Sequence, residues 1–390
     1  MSEARPAARA SWDDFRAEFP LLNEYAFLNH ASVSPLPARV KSAMETHLFY
    51  SQYGPKHRDQ LAAAYCDARS SVAALLNSSP DEIAFVPNTA TGISLIANGL
   101  PLKPGDQVLL TNMEYPANVY PWLNLAGKGV ETRILPHRAG GMDTAMLERE
   151  VSDRTRVVAV SSVQFLSGYR ADLAAMGAFC RQRGIYFVVD AIQSLGVIPM
   201  DVGEFQIDLL ASGGWKWLLG PRGQGLMFCR KELIEELHPI LTGAGGVIHE
   251  DDYLSYDMTF VSTADRFHVG MPNTNGIAGL GAAVDMLMDV GIAGIERRVL
   301  ALTDLLIGAL QERGYTLFSN TEPQHRSGIV TFAVPDAEAL YDRLTAERVV
   351  VSCRWDASGT KYIRVSPHGY NNEQDIARLV EVLDAWAAVH

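Results

Sequence analysis

Short β-rich runs alternate with longer amphipathic stretches through the first two-thirds of the chain. The runs are DEIAFV (81–86), QVLLT (107–111), ETRIL (131–135), VVAVSS (157–162), IYFVVD (185–190), DLLAS (208–212) and GLMFC (225–229). Continuously apolar runs predict strands buried on both faces, and most of the spacers are long enough for a helix. Residues 173–183 carry a 3.6-residue apolar stripe and stop at Gly184, a helix-ending residue. The pattern predicts an α/β fold: a mainly parallel sheet covered by helices on both sides.

After Gly270 the pattern changes. Small and apolar residues over 276–290 predict a long helix, and 293–313 predicts a second that stops at Gly314. The tail reads strand 327–334, helix 336–347, strand 348–353, strand 361–367 and helix 372–386, an α+β unit of about 100 residues. The expected organisation is an N-terminal segment, 1–35, packed on the rest, a large domain, 36–275, and a linking helix with a small C-terminal domain, 276–390. A chain of 390 residues suits that division at roughly 100–200 residues per domain.

Composition narrows the function. Lys and Arg number 33 against 45 Asp and Glu, a net charge of −12, with no basic run as an exception, so nucleic acid is not an expected partner. No run reaches the roughly 18 apolar residues of a membrane helix, because Asp190 interrupts the nearest one. Acidic residues in MSEARPAARASWDDF leave no apolar core for a signal peptide, so a cytoplasmic protein with no membrane partner is expected. Cys66, Cys180, Cys229 and Cys353 have neither metal-ligand nor CxxC spacing; no metal site is expected, and the cysteines read as small hydrophobes.

In an open parallel sheet, ligands bind beyond the carboxyl ends of the strands. Asp190 ends one apolar run, and Lys216, in SGGWKW, follows the next. A carboxylate and an amine in one crevice suit pyridoxal phosphate: the lysine forms a Schiff base with the aldehyde, and the aspartate keeps the pyridine nitrogen protonated. The phosphate needs N–H groups and hydroxyls at a helix start, which NTATG offers through Thr89 and the Ala90 N–H.

With these residues in place, the sequence resembles the class V aminotransferase family of fold-type I pyridoxal-phosphate enzymes, from FLNHASVSPLP to SPHGYNNEQD. The resemblance implies a homodimer with its site near the interface and an amino-acid substrate. It implies Asp190 on the pyridinium, Gln193 on the ring hydroxyl, Lys216 as the Schiff-base lysine, and Ser212 on the phosphate. Tyr115, in EYPAN, stands where many members stack a histidine on the ring, and Gln164 is a further cofactor candidate. Arg364, in YIRVSPHGYN, matches the arginine that clamps the substrate carboxylate. His30 and His57 are candidates to approach the substrate. The segment that members contribute from the partner subunit reads RFHVGMPN, with His268 and Met271 in place of an acid and a threonine; Asn273 is the nearest substitute.

Removal of the α-proton is common to transamination, epimerisation and elimination. SCRWDASGTKYIRVSPHGYN looks closest to the isopenicillin N epimerase-like branch, so an aminotransferase or epimerase-like reaction is the leading expectation. Cys353, 11 residues before Arg364, lacks the His-rich loop around a desulfurase nucleophile. The alternative is a cysteine-independent C–S (β-elimination) lyase or a cysteine desulfurase-like enzyme. More remote are a nucleotide-dependent α/β enzyme, for which no glycine-rich turn follows the first strand, and a non-catalytic regulatory protein that binds pyridoxal phosphate, for which no added module is present.

Overall fold

The computed structural model describes residues 11–249, 251, 252, 254 and 256–388. Its strands are β1 (Ala26–Phe27), β2 (Ile83–Val86), β3 (Gln107–Thr111), β4 (Glu131–Leu135), β5 (Thr155–Ser161), β6 (Tyr186–Asp190), β7 (Leu209–Gly213), β8 (Gly225–Cys229), β9 (Thr316–Leu317), β10 (Val330–Ala333), β11 (Val349–Val350), β12 (Ser352–Trp355) and β13 (Lys361–Val365). The seven apolar runs form one sheet in the order β2-β8-β7-β6-β5-β3-β4. Strands β7, β6, β5, β3 and β4 are mutually parallel, while β8 runs antiparallel to both its neighbours.

Side-chain alternation explains why these runs are apolar throughout. Val158, Val160, Phe187, Val189 and Leu210 enter one buried cluster, whereas Val157, Ala159, Val188, Leu209 and Ala211 enter another on the opposite face. Each strand therefore feeds two cores. The helix Thr89–Gly99 presses closely on β7: a Cβ on Gly92 would stand 2.7 Å from the Ala211 Cβ, so the approach requires glycine.

Helices Thr274–Val290 and Ile292–Glu312 lead to the smaller sheet, ordered β12-β13-β10-β9 and antiparallel throughout. The run 348–353 is not one strand. β11 pairs in parallel with β1 and only β12 joins the smaller sheet, a change of partner that local patterning does not reveal. This pairing stitches the N-terminal segment to the tail, and Ser34 N–H reaches the Trp215 carbonyl at 2.9 Å, beside the lysine. Among the described residues no single helix is long and apolar enough to cross a membrane.

Candidate active site

The carboxyl ends of β2, β6 and β7 and the turn after β3 border a cavity of about 670 Å³. Asp190, the last residue of β6, accepts the Ile192 N–H on Oδ1 at 3.0 Å; its Oδ2 is buried with no partner. A buried acceptor without a donor is costly. The ring N–H of pyridoxal phosphate is a donor of the right kind. Burial raises the Asp190 pKa, against the pull of the Ile192 N–H, and Glu114 raises it further.

Lys216 lies 8% exposed in the same cavity. Burial lowers its pKa, the nearby Arg364 lowers it further, and Asp190 opposes both. The turn that carries it closes through the Leu219 N–H on the Lys216 carbonyl at 3.1 Å. Leu219 sits there at φ 59°, a left-handed conformation that costs a non-glycine residue about 1–2 kcal/mol. The Gly220 N–H, on the Gly214 carbonyl at 2.8 Å, braces the turn.

At the phosphate end, Asn88 caps the helix Thr89–Gly99 through the Thr91 N–H at 2.9 Å. The Thr89 hydroxyl accepts the Gly213 N–H at 2.9 Å, which ties the helix start to the end of β7. Thr89 and Ala90 line the cavity at the first turn, where N–H groups have no helical partner. The half-exposed Tyr115 ring has its centroid 5.5 Å from Lys216 Nζ and meets Phe165 edge-on at 5.2 Å. The buried acceptor, the amine, the aromatic ring and the helix start together fit pyridoxal phosphate.

The opposite wall comes from the smaller sheet. Arg364 on β13 is 1% exposed; Nη1 donates to the Phe165 carbonyl at 2.7 Å, Nη2 to Ser32 Oγ at 2.6 Å, and Nε is buried without a partner. Its pKa falls to about 9, first through burial and then through Arg354. No described carboxylate pairs with it, so this buried guanidinium is suited to an anion arriving with the substrate.

Other expected residues fall in varied places. Gln193 lines the cavity, with Nε2 donating to the Ala31 carbonyl at 3.0 Å and Oε1 accepting the Trp217 indole N–H at 2.8 Å. Gln164 is buried behind it: Nε2 donates to Glu114 Oε1 at 2.5 Å and Oε1 has no partner. Ser212 is also buried and donates to the Gly213 carbonyl at 3.1 Å. His30 does not reach the cavity. Both its ring nitrogens are engaged, with the Ser366 carbonyl at 3.0 Å and with the Tyr370 hydroxyl, and the residue is fully buried. His57 stacks on Tyr50 at 4.6 Å, away from the cavity. Met271 is 92% exposed; His268 accepts the Phe85 N–H at 3.3 Å, and Asn273 caps the helix Thr274–Val290.

Cys353 faces away from the site. Its strand neighbours Ser352 and Arg354 turn to Ser32, at 2.9 Å and 2.8 Å, so Cys353 packs against the apolar cluster of the smaller sheet. Cys66, Cys180 and Cys229 do not line the cavity either. Sequence reasoning missed three residues. Arg354 and Ser32 line the cavity. Glu114 is buried and accepts from the Ser161 N–H and Asn118 at 2.9 Å each, the Ser161 hydroxyl and Gln164. The two-residue step S-C-R, opposite the Arg364 strand, was the available signal for Arg354.

Comparison with known proteins gives the family and the fold. The profile of the family described as aminotransferase class-V matches residues 26–379. A probable cysteine desulfurase of Methanothermobacter thermautotrophicus is 30% identical, covering 97% of this chain and 98% of that one. Among solved structures, an apo cysteine desulfurase from Thermococcus onnurineus superposes with a TM-score of 0.90 at 25% identity over the full length of both chains. The cysteine desulfurase CsdA of Escherichia coli gives 0.88 at 27% identity, over 98% of this chain and 100% of that one. This chain belongs to the class V aminotransferase family, and its cofactor is pyridoxal phosphate.

Proposed function

We propose that the protein is a C–S lyase that eliminates the sulfur substituent from the β-carbon of an L-amino acid without a cysteine nucleophile. The alternation along β12 carries this reading: Ser352 and Arg354 turn to Ser32, a residue of the cavity wall, and Cys353 turns to the apolar cluster of the smaller sheet. The relatives named cysteine desulfurase support a sulfur-containing substrate. They favour C–S cleavage over the transaminase or epimerase-like reaction that the sequence placed first.

Bound pyridoxal phosphate supplies the sink for the electron pair left at the α-carbon. Arg364 offers its unpartnered Nε–H, and the Nη2 now on Ser32, to the substrate carboxylate. Lys216, whose burial favours the free amine, takes the α-proton on Nζ. Asp190 Oδ2 accepts the ring N–H and keeps that proton in place. The sulfur leaves the β-carbon as a thiolate with the bonding pair, so nothing is oxidised or reduced. Hydrolysis of the remaining fragment yields a 2-oxo acid and ammonia.

The test is a panel of L-cysteine, L-cystine, S-substituted L-cysteines and sulfur-free amino acids given to the purified protein loaded with pyridoxal phosphate. Elimination releases sulfide from L-cysteine, persulfide from L-cystine or thiol from the S-substituted cysteines, with 2-oxo acid and ammonia in equal amounts and no added reductant. Racemised substrate without cleavage would replace the reading with epimerisation, and oxo acid formed only with an amino acceptor would replace it with transamination. A protein that takes up no pyridoxal phosphate would sink all three.

A further inference from the structure

The cavity holds one more cation than the reaction above uses. Lys216 serves the α-proton and Arg364 the α-carboxylate, but Arg354 also lines the cavity. Its Nη2 donates to Ser32 Oγ at 2.8 Å, the oxygen that Arg364 Nη2 reaches at 2.6 Å, and its Nη1 makes only a long contact, 3.4 Å, to the Cys353 carbonyl. No described carboxylate pairs with either arginine. Two guanidinium groups meeting on one neutral hydroxyl repel each other. Such a pair is unfavourable unless anions fill the space between and around them.

One carboxylate satisfies Arg364, and the two arginines differ in depth. Arg364 is sealed at the floor, whereas Arg354 is half-buried beside Trp355, which is 63% exposed at the mouth. A substrate whose carboxylate rests on Arg364 and whose α-carbon faces Lys216 has its side chain left to run toward the mouth. Asp190, the one acid lining the cavity among the described residues, is on the far wall. The cavity is therefore cationic and aromatic on this side, since Trp215 and Trp355 line it together with Arg354.

We propose that Arg354 is a specificity-determining residue that binds a second carboxylate, carried on the sulfur-linked side chain, so that the preferred substrates are acidic S-conjugates of L-cysteine. The sulfur linkage rests on the lyase reading; the recognition of a second anion does not.

S-carboxymethyl-L-cysteine and S-carbamoylmethyl-L-cysteine have the same shape and differ in charge. Their apparent dissociation constants are read from the change in the visible band of the holoenzyme. The acid is expected to bind at least about tenfold more tightly, the value of one charge-assisted pair of hydrogen bonds. Arg354→Met removes that preference by weakening the acid alone, and Arg354→Lys, which keeps the charge but not the fork, retains part of it. Equal binding of the two compounds to the wild type overturns the proposal. So does an Arg354→Met variant that weakens both equally, since both arginines would then share the α-carboxylate. A clear preference for the acid without thiol release upholds Arg354 and removes the lyase reading instead.

Discussion

The two walls of the cavity are incomplete in opposite senses. On the wall built by β6 and β7, an acceptor, Asp190 Oδ2, lacks a donor; on the wall built by β13, a donor, Arg364 Nε, lacks an acceptor. The first wall belongs to one continuous sheet: Asp190 stands in register with Ser161 of β5 and Ala211 of β7. The second is assembled across the chain, since Arg364 is held by Phe165 and Ser32, 199 and 332 residues away in sequence. On the proposed reading, the parallel sheet holds the groups that every reaction of this cofactor needs, and the composite wall holds those that select a substrate.

The difference is sharpest when each wall is broken in turn. Lys216→Ala is expected to abolish the visible band that borohydride bleaches and to cost at least about 10³-fold in turnover, because base and Schiff-base amine go together. Asp190→Ala removes a buried charge from the same wall and should lower kcat by about 10²–10³-fold, while the amino-acid dependence of binding persists. Arg364→Met should act in the other way. It is expected to lower kcat/KM by about 100-fold, mainly through KM, with the cofactor spectrum unchanged; Arg364→Lys recovers only part. Steady-state kinetics beside absorbance spectra would dissolve the comparison if Arg364→Met bleached the cofactor or Asp190→Ala raised KM alone.

A smaller effect probes the seam that aligns the second wall. His30 contacts Ser366 and Tyr370, and His368 Nε2 donates to the Trp217 carbonyl at 3.1 Å, next to the lysine. Burial lowers both pKa values, that of His368 to about 4. The folded state then binds fewer protons than the unfolded chain between the lowered pKa and 6.5, so these histidines make stability rise with pH in that window and fall on acidification. For His368 the loss from pH 7 to pH 5 should be about 2 kcal/mol, a few degrees in melting temperature. His368→Asn should shrink that pH dependence even where it lowers stability at pH 7, and thermal melts at both pH values read the difference.

The contrast between walls also explains what the sequence revealed. The strands around Asp190 and Lys216 were legible because burial on both faces makes them continuous apolar runs, and because the ligand side of a parallel sheet follows from strand direction. The composite wall was less legible. The motif around Arg364 points to a residue that lines the cavity, but LNHAS points to His30 and not to Ser32 two positions away, since nothing local tells which of its side chains turns inward. Burial on the Tyr370 side took the histidine, and the cavity received the serine. The β1–β11 pairing that makes this choice joins residues more than 300 positions apart.

Cys353 gives the smallest expected effect and the most direct check on how the second wall works. Its thiol lies on the β12 face opposite Ser352 and Arg354, and burial, with Glu338 nearby, pushes its pKa up, away from the thiolate that a sulfur acceptor needs. Cys353→Ser should therefore leave sulfur release from an S-substituted cysteine within about twofold of wild type, because a single partly buried thiol makes a modest packing contribution. Parallel assays on L-cysteine with and without reductant extend the test: a persulfide route stalls without reductant and dies with the serine variant, whereas elimination is indifferent to both. A tenfold or greater loss in Cys353→Ser would mean that β12 turns over during catalysis and that the wall assigned to substrate selection also performs chemistry.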